Sequence, residues 1–312
     1  MTGYVYDDIF LRHISPGHPE SPERLKTIMQ KLNDENLLAQ LEILPALEAT
    51  EDDLLLVHAK EVLVKVREAV GNAPAWLDPD TYVSKDSYRA ASLAAGGGIR
   101  LVSEIQTGGI QNGMALVRPP GHHATVSRSM GFCLFNNIAI AARYLQRHFG
   151  LSRIAIIDWD VHHGNGTQDI FYDDPSVLYL STHLFPHYPG TGSHQETGVG
   201  QGQNTTMNIP FRHGISREHY LERFTEGLKT VRQFHPDFIL ISAGFDSHAA
   251  DPLGGLSLLE ADFGLMTSQI CELARAACQG KVASFLEGGY HLQALADSVL
   301  VHLQTLLEFN KQ

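Results

Sequence analysis

At the centre of the chain lies Ile154-Ala-Ile-Ile-Asp158-Trp-Asp160-Val-His162-His163-Gly-Asn165-Gly-Thr-Gln168, an apolar run that leads into a polar cluster. The apolar, largely β-branched residues predict a buried strand. Two carboxylates and two imidazoles then fall within six residues, and such groups are costly to hold together unless a cation lies among them. Because residues two apart in an extended segment share a face, Asp158, Asp160 and His162 are predicted to point to the same side. A solvated loop after a strand is the alternative.

Length and composition indicate a globular protein, and α/β folds reach this size as a single domain. Its 312 residues are 43% hydrophobic and 19% charged, so a large core can form and a single domain over residues 1–312 is expected. The net charge of −12 argues against nucleic acid as a partner, since a nucleic-acid-binding protein needs a basic patch. The same charge would suit a cationic substrate.

Cysteine usage and hydropathy predict a cytoplasmic protein. The three cysteines form neither a disulfide framework nor a CxxC metal motif. The first residues lack the basic and apolar regions of a signal peptide, and no apolar run reaches the length of a membrane span. A reducing compartment without membrane association is therefore the expectation.

Strands and helices are predicted to alternate, which is typical of a parallel sheet covered on both faces. The predicted strands are 4–6, 114–117, 154–157, 177–181, 205–209, 238–242 and 282–286. The predicted helices are 22–32, 54–70 (one or two helices), 86–105, 135–149, 166–171, 217–234, 259–278 and 292–309, and residues 78–82 are predicted to form a loop.

Polar clusters follow four of these strands. In open parallel sheets, ligands bind beyond the carboxyl ends of the strands, so the four clusters are predicted to meet at one edge. They are Arg118-Pro-Pro-Gly-His-His123, the segment after Ile157, Ala243-Gly-Phe-Asp246-Ser-His248 and Glu287-Gly-Gly-Tyr290-His291.

The predicted metal ligands are Asp160, His162 and Asp246. One imidazole and two carboxylates leave a coordination position open, as a catalytic site requires. Zn²⁺ suits this set, and Fe²⁺, Co²⁺ or Mn²⁺ would also fit ligands that are harder than thiolates. Taken singly, Asp246 could instead cap a helix and His162 could make a core hydrogen bond.

Two adjacent histidines are candidates for acid–base chemistry. His122 and His123 follow a rigid Pro-Pro-Gly, and a neutral imidazole is the natural general base near pH 7. A regular strand cannot point both rings into one pocket, so an irregular loop is predicted, which Gly121 allows. The alternative is one catalytic and one packed histidine.

Aromatic residues complete the candidate site. Tyr290 follows two glycines, and its hydroxyl could donate to an oxyanion opposite the metal, although a tyrosine at a helix start often only packs. Phe132, after Gly131, and Tyr188, before Pro189, are candidate walls of a narrow apolar channel, with core packing as the alternative.

Six motifs occur in order along the chain: Arg118-Pro-Pro-Gly-His-His-Ala124, Gly131-Phe-Cys-Leu-Phe-Asn-Asn137, Asp158-Trp-Asp-Val-His-His-Gly-Asn-Gly-Thr-Gln168, Ser242-Ala-Gly-Phe-Asp246, Asp251-Pro-Leu-Gly-Gly255 and Glu287-Gly-Gly-Tyr290. Together they resemble the zinc-dependent histone deacetylases of the arginase/deacetylase superfamily. Arg-Pro-Pro-Gly and Asn165 are similar to the class II and bacterial deacetylase-like branch, and residues 18–24 are similar to the family's N-terminal loop.

The resemblance implies an arginase-like three-layer α/β/α fold with a central, mostly parallel sheet, and Zn²⁺ on the three predicted ligands. It implies that His123 is the general base and acid, that His122 paired with Asp158 is its electrostatic partner, and that Tyr290 stabilises the transition state. The implied reaction is removal of acetyl groups from acetyl-lysine side chains of proteins or peptides by activated water.

The resemblance also implies a structural monovalent cation, usually K⁺, and a substrate channel. The cation site would comprise Asp158, the main chain of Asp160 and His162, Ser181 and Thr182. The channel would comprise Gly131, Phe132, Tyr188, where the family more often has Phe, Leu253 and Gly289 at its glycine-lined base.

Three alternatives stay open. Acetylpolyamine hydrolysis is the nearest, although polyamine-selective relatives carry a carboxylate near the tunnel mouth at a position that is Leu253 here. A non-catalytic acyl-lysine-binding module is disfavoured by the intact ligand set and Tyr290. A binuclear Mn²⁺ ureohydrolase would need a paired Asp-x-Asp where this chain offers Asp246 alone.

Overall fold

Eight parallel strands form the central sheet of the computed structural model, which describes residues 1–311. Their order across the sheet is β2-β1-β5-β10-β9-β6-β7-β8. The strands are β1 (Thr2–Val5), β2 (Glu42–Leu44), β5 (Asn112–Ala115), β6 (Ile154–Asp158), β7 (Val177–Leu184), β8 (Thr206–Phe211), β9 (Phe238–Ala243) and β10 (Val282–Leu286); β3 (Ala75–Trp76) and β4 (Tyr82–Val83) form a separate antiparallel pair.

Helices cover both faces of the sheet, which gives the predicted α/β/α architecture. Every residue of β6, β9 and β10 is buried, because helices cover both faces of these strands. This explains why their sequences are nearly continuous apolar runs. The helices are α1 (Pro22–Asp34), α2 (Glu51–Leu54), α3 (Lys60–Gly71), α4 (Ser87–Thr107), α5 (Asn137–Phe149), α6 (Asn165–Phe171), α7 (Arg217–Phe234), α8 (Glu260–Cys278) and α9 (Leu292–Phe309).

The three glycines in α4 allow this helix to lie close to its neighbours. A Cβ on Gly96 would collide with the main chain at Leu47, and a Cβ on Gly97 would lie 2.7 Å from a methyl group of Val5. The helix continues through all three glycines, so they serve close packing instead of a break.

Several elements differ from the sequence-based expectation. The short strand β2 was not predicted, because its residues Glu42 and Ile43 are exposed at the edge of the sheet and give no apolar alternation. The predicted loop 78–82 is the turn of the β3–β4 hairpin and its last residue, Tyr82, begins β4. The strand predicted over 114–117 forms two residues earlier, as β5.

The sheet order brings the four polar clusters together as predicted. The strands that carry them, β5, β10, β9 and β6, are consecutive neighbours at the centre of the sheet. Among residues 1–311, no helix is both long and apolar enough to cross a membrane.

Candidate functional site

The three predicted metal ligands meet beyond the ends of β6 and β9. Their candidate ligand atoms all lie within 4.8 Å of one another. His162 Nδ1 lies 3.0 Å from Asp160 Oδ1 and 3.1 Å from Asp246 Oδ2. Asp160 and Asp246 are fully buried and His162 is 9% exposed, so this is a desolvated cluster of one imidazole and two carboxylates.

Main-chain amides orient both carboxylates. Gly288 N donates to Asp160 Oδ2 and Val161 N donates to Asp246 Oδ1, each at 2.8 Å. A Cβ on Gly288 would collide with Asp246, so only glycine allows the main chain this close. Outer hydrogen bonds of this kind fix the ligands of metal sites, and the donor set fits a divalent cation such as Zn²⁺.

Electrostatics favour a cation at this cluster. Burial and, after it, the neighbouring Asp160 raise the pKa of Asp246 to about 7, because two carboxylates share a dry site. Burial alone would lower the pKa of His162, but Asp160 and Asp246 outweigh it and raise that pKa to about 10. The two carboxylates thus draw positive charge to the centre of the cluster.

His122 and His123 form a charged and neutral pair beside this cluster. Their ring centroids are 4.0 Å apart. Burial would lower the pKa of His122, but Asp160 and Asp158 outweigh it and raise that pKa to about 10; Asp158 Oδ2 lies 3.1 Å from His122 Nδ1. Burial and the neighbouring His122 hold the pKa of His123 well below its ordinary value, so His123 is neutral near pH 7.

The tautomer of His123 follows from its partner. Its Nδ1 lies 2.8 Å from Asn165 Oδ1, which is an acceptor, so Nδ1 carries the hydrogen and Nε2 is left as a proton acceptor. Asn165 begins α6, and its amide group also donates to Met130 Sδ.

Four of the five predicted channel residues, Gly131, Phe132, Tyr188 and Leu253, line a cavity of about 380 Å³ beside the cluster. Tyr188 stands edge-on to His123, with 5.1 Å between ring centroids, and Phe132 stands edge-on to Tyr290 at 5.9 Å. Gly131 and Phe132 both adopt positive φ, of 58° and 68°, which is a strained conformation for Phe132 and turns its ring into the cavity wall. The lining comprises Asp80, Pro120, His122, His123, Gly131, Phe132, His162, His187, Tyr188, Pro252, Leu253, Gly254, Gly288 and Tyr290.

Tyr290 is held from two sides at the base of the cavity. The guanidinium carbon of Arg24 lies 5.0 Å from the centroid of its ring, and Tyr290 N donates to Asp251 Oδ2 at 2.6 Å. Burial raises the pKa of Tyr290 well above its ordinary value, so its hydroxyl stays protonated and can donate.

The prediction for Gly289 was wrong in its position. Gly288 lines the cavity, whereas Gly289 has a φ of 120° and packs behind the wall, where a Cβ would lie 2.8 Å from Leu295 Cδ1. Gly288 and Gly289 are adjacent, and the sequence pattern alone does not specify which of the two faces the cavity.

The residues of the predicted monovalent-cation site also lie together. Ser181 pairs with Asp158 in the β6–β7 register, and Thr182 Oγ1 donates to Asp158 O at 3.4 Å. Asp158, Ser181 and Thr182 are fully buried.

Several contacts at the site were not predicted from the sequence. The ring of His187 stacks on His162 at 5.0 Å and 19°, and its Nε2 donates to Leu253 O at 3.2 Å. The carboxylate of Glu287 accepts hydrogen bonds from the loop that carries His122. His187 and Glu287 lie beside predicted site residues in the sequence. Their contacts depend on how the loops fold back, so no local sequence pattern predicts them.

The sequence matches one protein-family model and is similar to several known proteins. The histone deacetylase domain family matches residues 18–306. The chain is 40% identical over 305 residues to "Histone deacetylase 10, chloroplastic" of Oryza sativa subsp. japonica, covering 92% of this chain and 69% of the relative. It is 40% identical over 297 residues to "Probable deacetylase" of Archaeoglobus fulgidus, covering 94% and 82%.

Two further similarities extend the comparison. The chain is 40% identical over 301 residues to "Polyamine deacetylase HDAC10" of Homo sapiens, covering 92% of this chain but only 44% of that protein. The solved structure described as "Crystal Structure of HDA15 HD domain" superposes with a TM-score of 0.93 at 38% identity, covering 98% of this chain and 88% of that one.

Proposed function

Because this chain belongs to the histone deacetylase family and is a hydrolase of amide bonds, we propose that it removes acetyl groups from acetyl-lysine side chains of proteins or peptides. The observation that carries the proposal is the neutral His123 beside the buried cluster of Asp160, His162 and Asp246: the rings of His123 and His162 lie 6.0 Å apart, and both line one cavity. A base, a metal-ligand cluster and an aromatic channel are the parts that hydrolysis of an extended acylated amine requires.

We propose Zn²⁺ as the ion held by Asp160, His162 and Asp246. When bound, such an ion supplies Lewis-acid polarisation of a water molecule and of the amide carbonyl. The support is the donor set, one nitrogen and two oxygens with a position left for substrate, together with the amides that orient both carboxylates.

His123 is the proposed proton carrier. Its free Nε2 accepts a proton from the attacking water while Nδ1 stays bonded to Asn165. A new carbon–oxygen bond forms as the carbonyl oxygen gains negative charge. His123 then returns the proton to the nitrogen, the carbon–nitrogen bond breaks as the carbonyl re-forms, and the amine and acetic acid are released; transfer of the acid proton gives acetate and the protonated amine.

Two groups would stabilise the negative charge that develops on the carbonyl oxygen. The protonated hydroxyl of Tyr290 donates a hydrogen bond to it. His122, whose positive charge is maintained by Asp160 and Asp158, lies beside His123 and adds electrostatic stabilisation of the same negative charge.

The cavity supports acetyl-lysine as the preferred substrate. Phe132 and Tyr188 give apolar walls that suit an aliphatic chain, and Leu253 lines the cavity without a charge. Acetylated polyamines are the second candidate, which the carboxylate of Asp80 in the cavity lining and the net charge of −12 favour.

We also propose a structural K⁺ site at Asp158, the main chain of Asp160 and His162, Ser181 and Thr182. The support is the buried set of carboxylate, carbonyl and hydroxyl oxygens gathered between β6 and β7. Replacing K⁺ with a larger organic cation in the buffer should lower the thermal stability of the purified protein if the site is occupied.

Acetate release tests the main proposal. The purified protein is assayed on an acetyl-lysine peptide and on a mono-acetylated diamine, before and after chelation, and again after Zn²⁺ is added back. The proposal expects peptide turnover that is lost on chelation and restored by Zn²⁺. Turnover of the diamine alone would favour acetylated polyamines over acetyl-lysine as the substrate. Turnover that chelation does not affect would refute the proposal that the reaction requires a metal ion.

A further inference from the structure

Glu287 is a fully buried carboxylate at the end of β10 that the mechanism above does not use. Its Oε2 accepts hydrogen bonds from Gly121 N at 2.7 Å and from His122 N at 3.2 Å. Its Oε1 accepts from Ser242 Oγ at 3.3 Å. A buried carboxylate is costly, and three donors aimed at its oxygens are what stabilises it here.

The two amides belong to the turn that delivers both imidazoles. Gly121 and His122 lie immediately before His123, and a Cβ on Gly121 would lie 2.6 Å from Asn137 N. The turn is therefore packed against α5 on one side and bonded to Glu287 on the other. No regular strand pairing continues here, since β5 ends at Ala115.

The main chain at Glu287 is fixed independently. Glu287 N donates to Ala243 O at 3.1 Å, and Arg24 Nη2 donates to Glu287 O. The next residue, Gly288, donates its amide to the ligand Asp160. The carboxylate thus projects from a rigid point that also sets the position of a metal ligand.

From these contacts we infer that Glu287 is a positioning residue: its carboxylate holds the Gly121–His122 main chain and so sets the distance between His123 and the Asp160–His162–Asp246 cluster. This inference rests on the proposed function, because it assigns a role within the same site. It deepens that function by naming what aligns the base with the ligand cluster.

A purely structural role would give a different result. If Glu287 only satisfied buried amides, its loss would lower stability and reduce the amount of folded enzyme, without changing the turnover of the folded fraction. If it positions His123, turnover falls while substrate binding persists, since Glu287 is not among the residues that line the cavity with Phe132 and Tyr188. Misplacement of a reacting group by about 1 Å can cost roughly 10²-fold in rate.

The experiment compares Glu287→Ala, Glu287→Gln and Ser242→Ala in the full chain. Glu287→Ala should lower kcat by roughly 10²-fold and change KM by less than about twofold. Glu287→Gln keeps an oxygen at the same reach for the two amides, so it should recover most of the lost kcat. Ser242→Ala, the matched control, removes only the contact to Oε1 and should leave kcat within about twofold.

Amide hydrogen exchange gives a readout that does not depend on activity. In Glu287→Ala, exchange should accelerate by roughly tenfold or more in peptides that contain Gly121 and His122, with the sheet unchanged. Unchanged exchange there, an unchanged kcat in Glu287→Ala, or a Gln variant as impaired as the Ala variant would each overturn the inference. If the wild-type protein shows no turnover, the proposed function fails, while exchange still decides whether Glu287 holds the turn. Should the Ala variant not fold, Glu287→Asp, which withdraws the carboxylate from the two amides by one methylene group, takes its place with the same expected fall in kcat and the same faster exchange.

Discussion

The guanidinium of Arg118 donates to both carboxylate oxygens of Glu20, with Nη2 2.7 Å from Oε2, and neither side chain is more than 1% exposed. Arg24 Nη1 also donates to Glu20, at 3.2 Å. Burial alone would raise the pKa of Glu20, but Arg118 outweighs it and the pKa falls to about 2. This ion pair joins the N-terminal loop to the strand end that carries His122.

Removing the charge of Glu20 should therefore be strongly destabilising. Glu20→Gln leaves two buried guanidinium groups without a counter-charge, and breaking a buried pair in this way costs roughly 3–5 kcal/mol. Urea unfolding at pH 7 measures the change in the free energy of unfolding. Glu23→Gln, on the exposed side of the same segment, is the control, and equal midpoints for the two variants would contradict the prediction.

Because His302 is buried in its neutral form, we expect the protein to lose stability in mild acid. Burial lowers its pKa to about 3, whereas an unfolded histidine titrates near 6.5. The folded state keeps His302 neutral while the unfolded state binds a proton, so its contribution is complete above pH 6.5 and is lost as the pH falls toward 3. Its nitrogens lie 2.7 Å from Thr267 Oγ1 and 2.9 Å from Ser284 Oγ.

The test compares the wild-type protein with His302→Gln at pH 7 and pH 5. The difference in the free energy of unfolding should shrink by roughly 2 kcal/mol over this range, because only the wild type has this group to protonate on unfolding. His219, exposed on α7, provides the control substitution. A difference that is constant with pH would rule out burial of neutral His302 as the cause.

Tyr290→Phe should lower kcat by roughly 10²-fold or more, because it removes one donor to the developing oxyanion. KM should change little, since the ring and its contact with Phe132 remain. Steady-state kinetics on an acetyl-lysine peptide measure both constants. Tyr144→Phe, on the surface of α5, is the control; unchanged turnover in Tyr290→Phe would remove the hydroxyl from the mechanism.

His123→Ala should be more damaging than Tyr290→Phe, by roughly 10³-fold or more in kcat, because the same imidazole accepts and returns the proton. The measurement is acetate release at saturating peptide. Metal content should stay at the wild-type level, since His123 is outside the ligand set. A variant that retains full activity would assign the base to another group.

Leu253→Glu tests what the cavity selects. A carboxylate in the lining should raise kcat/KM for a mono-acetylated diamine relative to an acetyl-lysine peptide by roughly fivefold, the equivalent of one partly exposed ion pair. Leu253→Gln, of the same length and without charge, is the control. An equal shift in both variants would attribute the effect to shape or polarity instead of charge.

The sequence predicted the α/β architecture because this depends on local signals, and the same signals placed the candidate site residues at strand ends that the structure brings together. The apolar run before Asp158 and the alternation after Met114 specify strands, and the rule that ligands bind at the carboxyl ends of parallel strands then brings distant clusters to one edge. The predicted bounds of β10, α7 and α9 match the structure.

Features that depend on the return path of a loop could not be predicted. The stacking of His187 on His162 requires the segment after β7 to fold back over the cluster. The displacement of Gly289 from the cavity depends on a single positive φ. The exposed edge strand β2 gains its order from pairing with β1, which a short window of sequence does not contain.

The sheet order has a consequence for synthesis of the chain. β10, the last strand along residues 1–311, inserts between β5 and β9 instead of adding to an edge. Until Val282–Leu286 has emerged, the flanking strands expose two open apolar edges to the cell, and such edges invite pairing with other chains. Insertion of β10 closes both edges at once, so the sheet is protected from pairing with other chains only after this strand has been synthesised.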